Sequence, residues 1–319
     1  MAAGANAPSS EAIQKVRAAV HTAVVGRDEA VDQILIGILA DGHLLLEDFP
    51  GLGKTLIAKS FAGALGLAFQ RIQFTSDLLP HDILGTEIFD VAHGTFVFRP
   101  GPVFANILLA DEINRAPPKV QSALLEAMQE YQVTSERTTH PLERPFLVLA
   151  TQNPLELEGT YPLPEAQIDR FLLRVSVGYP TPEEEREILR RRAERKQDAA
   201  PVPAVLAPGE FLRTQRAVEE VELDASVEGY LVDLVRATRA DPRVEVGASP
   251  RGSLGLARAA RAQALVGGRD FVLPDDVKAI AGPALAHRIT VLPEPWIRGT
   301  RGIDIVRSAL EHTAVPKTR

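Results

Sequence analysis

The sequence predicts an α/β fold, a parallel sheet flanked by helices, followed by a smaller all-α C-terminal domain. Three observations carry this expectation. Strand-length segments at 43–47, 70–74, 105–110 and 145–150 alternate with helix-length segments at 27–40, 54–65 and 117–130. Such alternation builds parallel sheets with helices on both faces and ligand sites at the C-terminal strand ends. The first strand segment leads through Asp48-Phe49-Pro50-Gly51-Leu52-Gly53-Lys54-Thr55 into a helix, the strand–loop–helix order of a phosphate-binding P-loop. Beyond residue 209 helical spacing takes over, at 210–219, 225–239, 250–266, 274–288 and 302–313.

In chain order, residues 1–10 read as a disordered leader, and 11–22 have helical spacing through Ile13, Val16 and Val20. Val24-Val25-Gly26 breaks that helix, and Arg27-Asp28-Glu29 starts the next. In the P-loop, Gly51 and Gly53 let backbone N–H groups turn onto phosphate oxygens without a Cβ in the way. Lys54 reaches the β/γ-phosphates and Thr55 places a hydroxyl for Mg²⁺. The helix from Leu56 adds its N-terminal dipole. Asp48 stands where the G-x-x-x-x-G-K-[ST] pattern has its first glycine, and is expected to put a negative charge near the phosphates and lower nucleotide affinity.

Residues 77–102 are more than a minimal nucleotide-binding sheet needs, and read as a short helix with a β-hairpin turning at His93-Gly94. The run 103–110 ends in Asp111-Glu112. Asp111 would hold Mg²⁺ through its water shell and Glu112 would act as general base on the attacking water. A second hairpin, about 131–145 with a turn at Ser135-Glu136-Arg137, precedes the strand that ends in Thr151-Gln152-Asn153-Pro154. Asn153 is a candidate to position the water or sense the γ-phosphate. The charged helix 183–196 reads as a solvated face, with Glu187 and Arg191 in the favoured i,i+4 order. A Pro/Ala-rich stretch at 198–209 marks the domain boundary, dividing an 11–197 nucleotide-binding domain from a 210–319 helical domain. Ser249 and Pro250 open a helix whose first turn carries Arg251. A cation there opposes the helix dipole, so an anionic partner is expected, and a nucleotide phosphate fits.

A chain of 319 residues suits two domains. No run approaches the 18 apolar residues of a membrane span, and Met1 to Ser10 lack a secretory pattern. The absence of cysteine excludes disulfides and thiolate metal sites and is compatible with a cytoplasmic location. A net charge of −7 argues against a protein devoted to gripping nucleic acid.

Five motifs together resemble the MoxR-type AAA+ ATPases, a helix-2-insert group related to the magnesium-chelatase ATPase subunit. They are Pro50 to Thr55, Asp77-Leu78-Leu79-Pro80-His81-Asp82-Ile83-Leu84-Gly85, Asp111 to Ala116, Ala150 to Pro154 and Leu163 to Phe171. His81 departs from the serine frequent at its position. The resemblance covers roughly 11–313. It implies an ATP-hydrolysing, chaperone-like motor using ATP and Mg²⁺, with Pro50, Gly51, Leu52, Gly53, Lys54, Thr55 and Leu56 around the phosphates and Val25 and Gly26 against the adenine. It also implies a hexameric ring, a partner with a von Willebrand factor A domain, and remodelling, maturation or metal insertion as the outcome. Arg170 is expected to act on a neighbour's nucleotide, with Arg115 the next candidate, and Arg251 to act within its own subunit. A slow ATP-gated switch and a nucleic-acid-directed ATPase are the alternatives. Phe61-Ala62-Gly63, the aromatic–apolar–Gly triplet between the P-loop and Asp111, falls inside the P-loop helix, which disfavours protein threading.

Overall fold

The computed structural model describes residues 7–135, 138–153 and 159–316. Residues 1–6 of the leader, the turn residues Glu136 and Arg137, and Pro154 lie outside the described residues. The leader does not run to residue 10. Helix α1 (Ala7–Ala23) already includes its last four positions, with Pro8 in the first turn where a missing N–H costs nothing.

Helix α2 (Asp28–Leu39) leads into strand β1 (Leu44–Glu47) and the P-loop helix α3 (Lys54–Leu65). Next come β2 (Phe69–Gln73), the short helix α4 (Pro80–Leu84), and the hairpin β3 (Gly85–Asp90) and β4 (Thr95–Pro100). Strand β5 (Ile107–Asp111) is followed by α5 (Pro118–Glu130), the hairpin β6 (Gln132–Ser135) and β7 (Thr138–Pro141), and β8 (Leu147–Gln152). A short α6 (Glu165–Ile168) precedes β9 (Leu173–Val175), and α7 (Pro182–Arg195) follows it. Both expected hairpins are present, and β9 is a strand that the sequence patterning did not reveal.

Among the described residues the central sheet has five parallel strands in the order β2-β5-β8-β1-β9. The pleat divides the core cleanly. Leu44, Leu46, Ile107, Leu109, Leu147 and Leu149 face a cluster with α1, α2 and α3. Leu45, Leu108, Ala110, Val148 and Ala150 face a second cluster with α5, the insert residue Ile83 and Val103 just beyond the insert. Alternation that buries both faces explains why these strands read as continuous apolar runs. Phe61 is fully buried in the first cluster, so its triplet cannot serve as a pore loop.

His43, at the entry to β1, is buried. Its Nδ1 accepts from the Val148 amide at 3.0 Å, which leaves Nε2–H to donate to the Met128 carbonyl at 3.0 Å. The neutral ring thus ties β1 to β8 and α5, and burial lowers its pKa to about 4.

The C-terminal part comprises α8 (Pro208–Glu219), α9 (Ala225–Ala240), β10 (Val244–Val246), α10 (Pro250–Val266), α11 (Pro274–Leu285), β11 (Thr290–Val291), α12 (Pro293–Ile297) and α13 (Gly302–His312). The expectation of purely helical structure is corrected here. The β-branched residues Val244, Val246, Thr290 and Val291 form a small antiparallel pair. The helix expected over 274–288 also leaves the α conformation at Leu285, two residues after Pro283, and closes in a 3₁₀ turn.

The 198–209 segment is not a loose tether. The Val205 amide donates to the Ala64 carbonyl of α3 at 2.8 Å, and Leu206 is buried. The core is continuous across it, because Phe211, Leu256, Ala259 and Leu265 join the cluster built by α1, α2 and α3. The C-terminal helical domain, called the lid below, is therefore packed against the sheet by the same apolar surface that covers β1.

Candidate functional site

The P-loop follows β1 because its backbone leaves the strand through residues that only glycine tolerates easily. Gly51 and Gly53 have φ of 83° and 85°, with open space where a Cβ would stand. Any larger residue is penalised there by backbone conformation rather than by crowding. Lys54 opens α3 and donates from Nζ to the Asp48 carbonyl at 2.7 Å. Burial lowers the Lys54 pKa, opposed by the charges of Asp48, Asp111 and Glu112.

The expectation for Asp48 is corrected. Its carboxylate turns away from the cradle and is buried. Oδ2 accepts from the Val177 amide at 2.6 Å, the Gly178 amide at 2.7 Å and the Ser176 hydroxyl at 3.0 Å, while Oδ1 accepts from the Phe49 amide at 3.1 Å. Asp48 is an anchor that fastens the P-loop entry to the chain leaving β9. His81 lies on α4 beside Asp82 at 3.6 Å, and nothing in the structure gives its replacement of serine a consequence.

The carboxylates arrive at the end of β5. Asp111 Oδ1 accepts from the Thr151 hydroxyl at 2.6 Å, and Oδ2 accepts from Arg71 Nη2 at 2.6 Å and Nε at 3.0 Å. Glu112 adopts left-handed backbone with φ 57° and ψ 50°, a conformation that costs a side-chain-bearing residue about 1–2 kcal/mol. The Glu112 amide donates to Thr151 Oγ at 2.8 Å. One hydroxyl on the neighbouring strand therefore holds both the Asp111 carboxylate and the strained turn at Glu112. Arg115 pairs with Glu112 Oε2 at 3.3 Å.

Pro50, Gly51, Leu52, Gly53, Lys54, Thr55 and Leu56 line one cavity of about 430 Å³ together with Arg71, Asp111, Glu112, Thr151 and Asn153. An adjoining cavity of about 170 Å³ shares Gly51, Leu52, Gly53 and Leu56 and is walled by Val24, Val25, Ile188 and Arg191. Phosphates on one side of the P-loop and a base on the other fit this pair of spaces. Gly26 is not part of the wall. Its Cα lies against the Glu184 side chain, with φ of 61°. Thr55 and Asp111 together offer a hydroxyl and a carboxylate beside the phosphate cradle, a donor pair that suits Mg²⁺, which takes few protein ligands and keeps phosphate and water oxygens.

Arg170 and Arg251 lie elsewhere. Both line a cavity of about 750 Å³ with Asp41, Gly42, His43 and Leu172, at the N-terminal ends of β1 and β9 and so at the opposite end of the strands from the P-loop. Arg251, expected to act on its own subunit's nucleotide, does not line the P-loop cavity. The cause is visible in the lid. Arg288, with a side chain 3% exposed, donates from Nε to Asp169 Oδ1 at 2.8 Å and from Nη2 to the Phe171 carbonyl at 2.7 Å. Ser249 occupies the helix N-cap position, but its hydroxyl donates to Asp169 Oδ2 at 3.2 Å. Arg251 has Asp169 Oδ2 as an anionic partner at 3.8 Å.

Sequence reading gave no role to Thr151 or Arg71. Thr151 stood inside a quoted motif, yet only the pairing of β5 with β8 puts it over Asp111. Arg71 carried no signal beyond lying on a strand.

The model of the ATPase family associated with various cellular activities (AAA) matches residues 43–173, and that of the AAA lid domain matches residues 236–309. The chain is 46% identical to chaperone MoxR1 of Mycobacterium tuberculosis, over 93% of this chain and 81% of that one. It is likewise 46% identical to the uncharacterised protein YeaC of Bacillus subtilis, over 94% and 93%. A solved structure of a candidate ATPase from Cytophaga hutchinsonii superposes with a TM-score of 0.90 at 43% identity, covering 97% of this chain and 96% of that one. With a P-loop, an Asp-Glu strand end, a helix-2 hairpin insert and an AAA lid in one chain, the protein belongs to the MoxR-type family of AAA+ ATPases.

Proposed function

We propose that the protein hydrolyses ATP in a ring, most simply a hexamer, and uses the cycle to remodel or mature a partner protein. One observation carries this reading. The P-loop cavity gathers Lys54, Thr55, Asp111, Glu112 and Asn153, whereas Arg170 and Arg251 line a cavity at the opposite ends of the strands. A complete site therefore needs the P-loop end of one subunit against the Arg170 end of the next.

Lys54 and the Gly51 and Gly53 backbone hold the phosphates. Glu112 takes a proton from the attacking water, and Asn153 orients that water. Thr55, and Asp111 through water, would hold Mg²⁺, which would supply charge neutralisation on the phosphates. The neighbour's Arg170 stabilises charge on the transferring group, an effect worth roughly 10³–10⁵ in rate where measured. Arg251, beside Arg170, belongs with it on the neighbour's nucleotide.

The insert hairpin offers a surface for a partner. Phe89, Val91 and Phe96 are 53%, 85% and 68% exposed on β3, its turn and β4. A partner with a von Willebrand factor A domain, and metal insertion as one form of maturation, belong to this reading through the family. So does a cytoplasmic location. Among the described residues no helix is long and apolar enough to cross a membrane.

Mixing subunits tests the arrangement. Lys54→Ala and Arg170→Ala proteins, each inactive alone, should regain ATPase activity when combined, as should Lys54→Ala with Arg251→Ala. Inactive mixtures that sediment as rings would remove both arginines from the shared site.

A further inference from the structure

Asp111 has two carboxylate oxygens, and the structure commits both. Oδ1 takes the Thr151 hydroxyl, and Oδ2 takes two N–H groups of Arg71, one of which also donates to Gln73 Oε1 at 3.0 Å. The pair follows from strand register. In the parallel pairing of β2 with β5, Arg71 stands opposite Leu109 and Gln73 opposite Asp111, so the Arg71 side chain reaches forward along β2 to the strand end. Arg71 also lines the P-loop cavity, where its guanidinium is a second cation besides Lys54.

We propose that Arg71 competes with Mg²⁺ for Asp111, and so sets how strongly the metal tightens nucleotide binding. The inference rests on the nucleotide-binding reading above. Oδ2 is the Asp111 oxygen that the Thr151 bond leaves for the metal's water shell. A guanidinium bonded there through two N–H groups must yield it, or share it, when Mg²⁺ arrives with the nucleotide. The Arg71 side chain is 46% exposed and Asp111 14%, so the pair is partly screened and its loss should change the equilibrium several-fold rather than by orders of magnitude. Arg71 is therefore a brake on metal binding at a carboxylate that would otherwise hold the ion more firmly.

The readout is binding, not turnover. The affinity of mant-AMP-PNP for the full chain is measured with excess EDTA and with excess Mg²⁺, for the wild type and for Arg71→Gln, with melting curves confirming that the variant folds. The ratio of the two dissociation constants is the factor by which Mg²⁺ tightens binding. Arg71→Gln should raise that factor about fivefold. A factor that stays the same, with both affinities weakened alike, would make Arg71 a phosphate ligand and overturn the proposal. A factor that falls would make it a helper of the metal and overturn it equally. If the wild type binds no nucleotide at all, the fault lies with the assigned function and not with Arg71.

Discussion

Replacing Asp48 by glycine restores the first glycine of the P-loop pattern, and two opposite outcomes can be expected of it. If the carboxylate faced the phosphates, the change would tighten nucleotide binding and leave stability alone. The structure predicts the reverse. Asp48 is 7% exposed, and its Oδ2 is the acceptor for the Val177 and Gly178 amides as well as the Ser176 hydroxyl. Hydrogen bonds to charged acceptors are worth about 1.5–3 kcal/mol each, and orphaning a buried amide costs about 1–3 kcal/mol. Gly178 is only partly buried and Ser176 is exposed, so water recovers some of that loss. The net cost of Asp48→Gly is therefore about 3–5 kcal/mol, of which up to about 1 kcal/mol is glycine's own backbone entropy. Asp48→Ala separates the two contributions. With an unfolding entropy of about 2.1 cal/mol/K per residue, each kcal/mol lowers Tm by about 1.5 °C at this length, which gives a fall of about 5–8 °C. Calorimetry reads the Tm, and titration with mant-ADP reads the affinity. A Tm within about 1 °C of wild type together with tighter nucleotide binding would refute the anchoring role.

Three further outcomes follow from the geometry. Thr151→Val removes the acceptor for the Glu112 amide and the donor to Asp111. ATP turnover should fall about 10²-fold with nucleotide affinity changed far less, and unchanged steady-state rates would refute it. Asp169→Ala leaves the buried Arg288 cation without its carboxylate and should cost about 3–5 kcal/mol in urea unfolding, whereas the double variant with Arg288→Met should recover part of that. His43 is neutral in the fold with a pKa of about 4 and charges near 6.5 when unfolded. Its contribution is complete above about pH 6.5 and is lost as pH falls towards 4, at about 1.4 kcal/mol per pH unit. Denaturant titrations from pH 7 to 4 should show a shallower decline for His43→Gln.

What the sequence reveals here is what a short stretch of chain determines by itself. The P-loop glycines, Lys54, Thr55 and the Asp111-Glu112 strand end are local, because turn conformation and strand termination are written in consecutive residues. The helix-2 hairpin is local too, through His93-Gly94. Thr151 and Arg71 act only through the register of β5 between β8 and β2, and register is fixed by packing on two buried faces rather than by either strand alone. Asp48 looked like a defect in a motif because its hydrogen-bond donors, the amides of Val177 and Gly178, are 129 and 130 residues away. Strand β9 was missed because it has three residues, too few for a period to show.

The placement of Arg251 is the most consequential of these long-range effects. Its helix was legible, but which end of the strands the lid covers depends on the contact between Asp169 and Arg288, 119 residues apart, and on an apolar cluster shared with α1 and α2. Bringing Arg251 to its own P-loop would require breaking that buried ion pair, at about 3–5 kcal/mol, and exposing residues such as Leu256 and Phe211, at about 1.5–3 kcal/mol each. Both terms oppose the swing, and no single contact in the P-loop cavity could offset them. On the proposed reading the lid does not sense the nucleotide of its own subunit. It is held against the end of the strands that meets the next subunit's nucleotide, so loss of a phosphate there would be felt first by Arg170 and Arg251. Asp169 would carry that change to Arg288, and through it to α11 and the lid.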